Sequence, residues 1–286
     1  MYERILVPLD GSEQAEMALP YAIAMAEVFG SEVDVVAVGG EEERKFERLI
    51  RTYLERVTAG LAEEAVRAKA VFLYGNPAEA TVDYARKNSV GLIIMATHGR
   101  SGVARWVMGS VAGKIVRSSL TPVLLINAKL YRERKASEAK FSRILVPLDG
   151  SSLGAAALPY AEELARKMKA EIKLLHIPLP SYRLTGAGEL DFSFPEQLIE
   201  DMRKAASDYL SQISAEVKGK GIAVSAEIIE GVADEMIPDY AKEKGVDLVA
   251  MSTHGRGGLS RLVFGSVMDK VLHSLEIPIL VIRGKD

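Results

Sequence analysis

The chain has 286 residues, of which 48% are hydrophobic and 26% charged, so it is long enough for two globular domains with buried cores. A formal net charge of −3 argues against a nucleic-acid partner, and the lack of cysteine excludes disulfides, thiolate metal sites and cysteine nucleophiles. No secretory leader is recognisable and no apolar run approaches the roughly 20 residues of a membrane-spanning helix, so we expect a soluble, cytoplasmic protein without membrane contact.

Strand and helix signals alternate along the first half of the chain. Continuous apolar runs, expected of strands buried on both faces, lie at residues 5–9, 33–38 and 92–96, and a further short strand is expected near residues 70–74. The helix signals lie at residues 12–29, 43–67 and from 77 onward. Ser12 is a suitable N-cap, Gly30 a natural stop, and Pro77 suits a first helical position. This alternation predicts an α/β fold with an open, mostly parallel sheet and helices on both faces.

The same blocks of sequence occur twice, in the same order. The repeated blocks are 4–12 and 143–151, 18–22 and 157–161, 97–100 and 253–256, 109–111 and 265–267, and 122–126 and 278–282. We therefore predict a duplicated domain, with a first domain over 1–127, a polar linker over 128–141 and a second domain over 142–286. The second half also carries a Gly-, Pro- and Ser-rich insertion at 178–194, which we expect to overhang the carboxyl edge of its sheet.

A glycine-containing loop follows a buried strand in each half and leads to Gly109-Ser110 or Gly265-Ser266. Glycines let backbone N–H groups approach a ligand, and a helix start supplies unpaired donors with a partial positive charge. Ser110 could cap its helix or donate its hydroxyl to a phosphate. The plain alternative is that the glycines only make a turn and the serine only caps. Two copies, each paired with an aspartate at the end of another strand, favour a phosphate site.

Asp10 and Asp149 end the first strand of each half. An acidic side chain at that edge can hydrogen-bond a ribose hydroxyl or a base amino group, although Asp-Gly is also strong turn chemistry. His98 and His254 adjoin the glycine loops, and the histidine spacing suits no metal site, so we expect these two to support the loop or touch the ligand. The arginine two residues after each histidine could reach phosphates or could simply be exposed.

In these blocks the chain resembles the universal stress protein family, in both halves and over nearly its whole length. The family's ligand motif is Gly, two residues, Gly, nine residues, then Gly-Ser or Gly-Thr. The second and third elements are present in both halves, and the third is Gly109-Ser110 in the first half and Gly265-Ser266 in the second. The first glycine is replaced in each half, which would crowd the ligand there while leaving the phosphate donors in place.

Family members that bind ATP place the base and ribose near the first-strand aspartate, the end of the second strand and the glycine loop. The resemblance therefore implies that ATP or AMP, with or without magnesium, binds to this chain. In the first half the implicated residues are Pro8, Asp10, Val38, Ala96, His98, Gly99, Arg100, Gly109, Ser110 and Val111. In the second half they are Pro147, Asp149, Ile177, Ser252, His254, Gly255, Arg256, Gly265, Ser266 and Val267.

The resemblance also implies a Rossmann-like, adenine nucleotide alpha hydrolase-like fold in each half, with a five-stranded sheet of order 3-2-1-4-5. Single-domain members dimerise through their last strand. Here Val123–Ile126 and Ile279–Ile282 are apolar edge strands that need covering. We therefore expect them to pair with each other, which makes the chain an internal pseudo-dimer, and the family also leaves a homodimer open.

Three functions compete. The first is an adenine-nucleotide-binding stress-response or regulatory protein with at most slow ATP hydrolysis and no catalytic residue assigned. The second is a nucleotide-independent dimerisation and interaction module, which would have no need for two complete glycine loops. The third is an enzyme, but the sequence lacks a Gly-x-x-x-x-Gly-Lys-Ser/Thr phosphate loop, a His-x-Gly-His pair and an evident carboxylate cluster for magnesium. The sequence favours the first function.

The two halves are not expected to bind nucleotide equally. The insertion at 178–194 could close over the second pocket and bury more of the ligand, whereas Gly39-Gly40 leaves the first pocket more open. We therefore expect the second half to hold nucleotide more tightly.

Overall fold

The computed structural model describes residues 1–40, 43–97, 108–127, 139–178, 196–253 and 265–284. Its strands are β1 (Arg4–Pro8), β2 (Glu32–Gly39), β3 (Ala68–Tyr74), β4 (Leu92–Ala96), β5 (Val123–Ile126), β6 (Arg143–Leu148), β7 (Glu171–His176), β8 (Val224–Ile228), β9 (Leu248–Ser252) and β10 (Ile279–Ile282). Its helices are α1 (Glu13–Glu16), α2 (Leu19–Phe29), α3 (Glu47–Glu63), α4 (Pro77–Lys87), α5 (Ser110–Ser118), α6 (Leu158–Met168), α7 (Glu196–Gly219), α8 (Ala233–Glu243) and α9 (Ser266–Ser274). Strands and helices alternate as predicted.

These elements form two compact units. The first unit contains Met1–Phe141 and also Leu275–Arg283, so the last strand of the chain belongs to it. Its strand order is β3-β2-β1-β4-β5-β10, parallel throughout except that β10 runs antiparallel to β5. The second unit has the order β9-β6-β7-β8, with all strands parallel. The first unit contains the order 3-2-1-4-5 of the first half, and the second unit contains the order 3-2-1-4 of the second half, in agreement with the predicted α/β fold class.

The first strand of each half lies at the centre of its sheet. Ile5 of β1 is aligned with Val33 of β2 on one side and with Leu92 of β4 on the other, and all three are buried. Every residue of β4 and of β9 is also buried, as expected for strands covered by helices on both faces. Because the strands are parallel, their carboxyl ends meet at one edge of each sheet, and the predicted site residues that the structure describes lie at or next to strand ends on this edge.

The first predicted helix is in fact two helices. Residues 12–29 are predicted to form one helix, but α1 ends before α2 begins. Pro20, in the first turn of α2, has no N–H to donate and its ring would clash with a carbonyl of the preceding turn, so one helix cannot run through. Both predicted ends are correct. The Ser12 hydroxyl accepts a first-turn N–H at 3.2 Å, and Gly30 caps α2 with a φ of +67°.

The second predicted helix is shorter than the sequence suggests. Residues 43–67 are predicted to be helical, but Glu43–Phe46 form a 3₁₀ turn, and α3 ends at Glu63. Leu54, Val57 and Leu61 supply the buried stripe of α3, at the spacing of one helical face. Beyond α3, Ala65 has a φ of +58°, a conformation outside the α-helical region, so the helix cannot continue to Arg67 as the charge pattern predicted.

The end of the predicted linker packs onto the first unit. Residues 128–138 lie outside the described residues, whereas Ala139 and Phe141 are buried. The Phe141 ring stacks on Tyr21 of α2 with centroids 6.2 Å apart. Residues 139–141 thus belong to the packed structure before β6 begins.

The predicted pairing of the two last strands is confirmed. Strands β5 and β10 pair antiparallel, and all of their residues are buried. Equivalent positions after the two strands also cap helix ends: Asn127 Nδ2 donates to the Leu275 carbonyl at 3.0 Å, and Arg283 Nη1 donates to the Arg117 carbonyl at 3.2 Å. The pairing of the two strands therefore covers their apolar edges, and the side chains that follow them donate to carbonyls at helix ends. The arrangement of the halves as a pseudo-dimer stays a prediction.

We expect Leu280→Ala to lower the free energy of unfolding by about 2–5 kcal/mol, because Leu280 is 1% exposed and faces Leu124 across the strand pair. Leu120→Ala is the matched control. Its side chain is 59% exposed, so the same substitution should change stability by less than about 0.5 kcal/mol. Urea denaturation followed by circular dichroism measures both, and equal stabilities for the two variants would contradict the role given to the strand pair.

Candidate functional site

The turn after the first strand has the same geometry in both halves. Asp10 Oδ1 accepts hydrogen bonds from the N–H of Ser12 at 3.0 Å and from its hydroxyl at 2.5 Å. Asp149 Oδ1 accepts the same two bonds from Ser151 at 3.0 and 2.7 Å. The glycine between each pair has a φ of +82°, a conformation that favours glycine. The aspartates are therefore turn residues, as one alternative held, and the turn sets the direction of each half-buried carboxylate.

The start of α5 is tied to the end of β4 by a backbone hydrogen bond. The Gly109 N–H donates to the Thr97 carbonyl at 2.8 Å, and in the second half the Gly265 N–H donates to the Thr253 carbonyl at 3.1 Å. Each glycine loop thus begins and ends at one place on the carboxyl edge. The predicted loop residues themselves lie outside the described residues, namely His98, Gly99, Arg100, His254, Gly255 and Arg256.

Ser110 is not the N-cap of α5, which is one of the two alternative roles that the sequence allows for it. The N-cap is Gly109, with φ −53° and ψ 147°, and Ser110 is the first helical residue with an exposed side chain. Ser266 is likewise exposed at the first position of α9. The serine hydroxyls are therefore placed beside the first-turn N–H groups, which have no acceptor within the helix. Gly109 is not in the positive-φ region, so its value to the site is close approach and not backbone strain.

The other predicted residues lie at the same edges. Pro8 and Pro147 end or nearly end the first strands and are half-buried. Val38 near the end of β2 and Ile177 just after β7 are also half-buried, so both can offer apolar surface to a planar ring. Buried residues end the fourth strands and half-buried valines follow the helix-opening serines: these are Ala96 and Ser252, and Val111 and Val267.

A tyrosine of the long helix in each half lies near this edge, and the sequence reading missed it. Burial raises the pKa of the Tyr53 phenol, with further contributions from the carboxylates of Glu16 and Asp10. The phenol therefore stays protonated at neutral pH. Tyr209 of α7, at the corresponding position, has its ring 5.9 Å from that of His176. The two tyrosines could have been identified from the sequence, because their spacing along the chain equals the spacing between Gly109 and Gly265.

A lysine was also missed in each half. Lys114 and Lys270 lie four residues after Ser110 and Ser266, on the same helix faces. Lys270 Nζ forms an ion pair with Asp234 Oδ2. Both lysines lie one turn after the start of their helix, and an anionic ligand would bind at that helix start.

The described part of the chain contains neither a metal-binding cluster nor a membrane-spanning helix. Its histidine, aspartate and glutamate side chains form no group of three or more that could hold a metal ion. None of its helices is both long enough and apolar enough to cross a membrane.

Known proteins resemble this chain across both halves. The model of the universal stress protein family matches residues 1–127 and 140–283. Universal stress protein YxiE of Bacillus subtilis is 30% identical over 147 residues, covering 50% of this chain and 99% of that protein. Universal stress protein Rv2005c of Mycobacterium tuberculosis is 26% identical over 233 residues, covering 78% and 73%. A crystal structure of a universal stress protein from Archaeoglobus fulgidus matches the fold with a TM-score of 0.77 at 20% identity, covering 99% of both chains.

We expect Gly11→Ala to lower the free energy of unfolding by about 1–2 kcal/mol, because a Cβ is strained at a φ of +82°. Gly60→Ala is the matched control. Gly60 lies inside α3 with open space around its Cα, so the same change should raise stability by about 0.5–1 kcal/mol. Chemical denaturation gives both values, and a stabilising effect of Gly11→Ala would refute the turn geometry given to Asp10.

Proposed function

The chain belongs to the universal stress protein family, and from that premise we propose that it is an adenine-nucleotide-binding stress-response or regulatory protein. Each half holds one site for ATP or AMP at the carboxyl edge of its sheet. No catalytic residue is part of the proposal, and any hydrolysis of ATP would be slow.

The observation that carries the proposal is the double occurrence of one edge geometry. In each half an aspartate held by an Asp-Gly-Ser turn follows the first strand, and a strand-to-helix loop closed by a backbone hydrogen bond follows the fourth. The Asp-Gly-Ser turn accounts for the aspartate at the strand end, but neither that turn nor the core needs an exposed serine at the helix start. The occurrence of this serine together with the aspartate in both halves favours a ligand.

The residues of the first half divide between the two ends of a nucleotide. The Asp10 carboxylate can accept hydrogen bonds from ribose hydroxyls, and the half-buried Val38 offers apolar surface to the adenine ring. The first-turn N–H groups of α5 and the exposed Ser110 hydroxyl can donate to phosphate oxygens, which the positive end of the helix also attracts. Asp149, Ile177 and Ser266 have the same roles in the second half. Magnesium would accompany ATP as an ion bound to its phosphates.

An interaction module without nucleotide is the competing function, and one observation favours it. Three large apolar side chains are exposed close together beside the edge strand β3: Phe46 is 55% exposed, Leu49 67% and Tyr74 49%. Tyr74 Oη donates to Glu47, which brings the start of α3 to this strand. Such a patch can contact a protein partner. These three residues belong to the first half, whereas the edge geometry is present in both, so nucleotide binding remains the better-supported function.

We expect the double variant Gly109→Val, Gly265→Val to bind ATP and AMP at least about tenfold more weakly, because side chains at the helix starts block close approach of a phosphate. The fold should survive. A Cβ on Gly265 would lie 3.4 Å from the Thr253 carbonyl, an ordinary contact, and Gly109 has a φ open to any residue. Isothermal titration calorimetry measures both affinities, and circular dichroism measures the fold.

The matched control is Gly60→Val with Gly219→Val, the same change at two glycines whose Cβ would meet open space. This control should bind nucleotide like the parent chain. Equal affinities in the site variant and the control would overturn the proposed sites. So would a parent chain that binds neither nucleotide and releases none on denaturation, as detected by mass spectrometry, and the interaction module would then be the function to pursue.

A further inference from the structure

The two proposed phosphate sites differ in one positive charge. Lys114 follows Ser110 by four residues on α5, and Lys270 follows Ser266 by four residues on α9. Residues four apart lie on the same helix face, and both members of each pair are exposed. Because helical side chains lean toward the N-terminus, each lysine can extend over the turn that carries the serine. Each half thus has a cation within reach of the phosphates, provided that nothing else holds it.

In the second half, another side chain holds the lysine. Asp234 lies in the first turn of α8, which packs against α9, and its Oδ2 forms an ion pair with Lys270 Nζ. The Asp234 side chain is only 8% exposed, and its Oδ1 is buried with no hydrogen-bond partner among the described residues. A buried carboxylate that loses its cation is strongly destabilising, so Lys270 is kept at Asp234. The positive charge of Lys270 is therefore already paired with a carboxylate when no phosphate is bound.

In the first half, the corresponding position has no charge. Gly75 and Gly231 are equivalent residues, both with positive φ, and the residue three positions later is Ala78 in the first half and Asp234 in the second. Ala78 is buried in the first turn of α4, which packs against α5. Lys114 forms no ion pair with any described residue. Its full charge therefore remains available at the helix start.

A second substitution increases the difference. The residue before Lys114 is Gly113, whereas the residue before Lys270 is Asp269, whose side chain is 56% exposed. Of the positions compared, the first half therefore has one positive charge, at Lys114, and no carboxylate. The second half has two carboxylates, Asp234 and Asp269, and one lysine.

We propose that the halves differ in their preference among adenine nucleotides, with the first half favouring ATP over AMP more strongly than the second does. This inference rests on the proposed function. The phosphate of AMP carries about two negative charges, and ATP adds two further phosphates, so an available lysine favours ATP more than AMP. In the second half, Lys270 could bind a phosphate only by leaving Asp234 unpaired. The inference concerns the preference between nucleotides and is independent of which half binds more tightly overall.

The test uses two full-length backgrounds, each with one site blocked. Gly265→Val leaves the first site, and Gly109→Val leaves the second. In the first background, Lys114→Met should weaken ATP binding about tenfold, the contribution of one charge-assisted hydrogen bond, and AMP binding by less than about threefold. In the second background the matched variant is Lys270→Met combined with Asp234→Asn, which leaves no buried carboxylate unpaired and should change either affinity by less than about twofold. Calorimetry with ATP and AMP measures all of them.

Asp234→Asn makes the inference sharper, because it removes the charge that holds Lys270 while keeping the shape of the side chain. In the second background it should strengthen ATP binding about tenfold, and adding Lys270→Met should abolish that gain. An unchanged ratio of ATP to AMP affinity in Lys114→Met, or a gain in Asp234→Asn that survives Lys270→Met, would overturn the inference while leaving the nucleotide sites intact. Loss of both nucleotides in both backgrounds would overturn the proposed function and the inference with it.

Discussion

The hydrogen bond from the Gly109 N–H to the Thr97 carbonyl holds the first turn of α5 against the end of β4. Thr97 is itself fixed, because its N–H donates to the Ile126 carbonyl at 2.9 Å at the end of the neighbouring strand. Strand β4 is buried along its whole length, so the helix start cannot move without disturbing the core. The direction of the helix dipole, the exposure of Ser110 and the reach of Lys114 all depend on this attachment. The second half repeats it between Gly265 and Thr253.

Duplication has kept the backbone of the site and let the surrounding charges diverge. The two Asp-Gly-Ser turns have the same φ at glycine and nearly the same hydrogen-bond lengths. Turns of this kind tolerate little change, because the glycine conformation and the carboxylate acceptor must occur together. Ala78, by contrast, lies in the first turn of α4, which packs against α5, and at the equivalent position of the second half an aspartate is accommodated by an ion pair with Lys270. Divergence is therefore found beside the conserved backbone and not within it.

The apolar last strands are covered within the chain. Each exposes no residue of its four, since β5 and β10 pair with each other. A short strand of Leu, Val and Ile left at a sheet edge would be an aggregation site, and pairing removes that hazard. It also makes the stability of the first unit depend on residues 275–283, at the other end of the sequence.

Local patterns determined much of the structure in advance. The buried apolar runs predicted the central strands, the repeat predicted the duplicated sheet, and Ser12 and Gly30 predicted the ends of the first helical region, although Pro20 divides it. The glycines and aspartates of the candidate site were also visible, because turn chemistry depends on residues adjacent in the chain. Tertiary structure alone decided that Gly109, and not Ser110, caps α5, and that Lys270 is held by Asp234 while Lys114 is not. The first outcome depends on the backbone hydrogen bond between Gly109 and Thr97, and the second depends on which helices pack together. A contact between residues distant in sequence leaves no periodic signal in either segment.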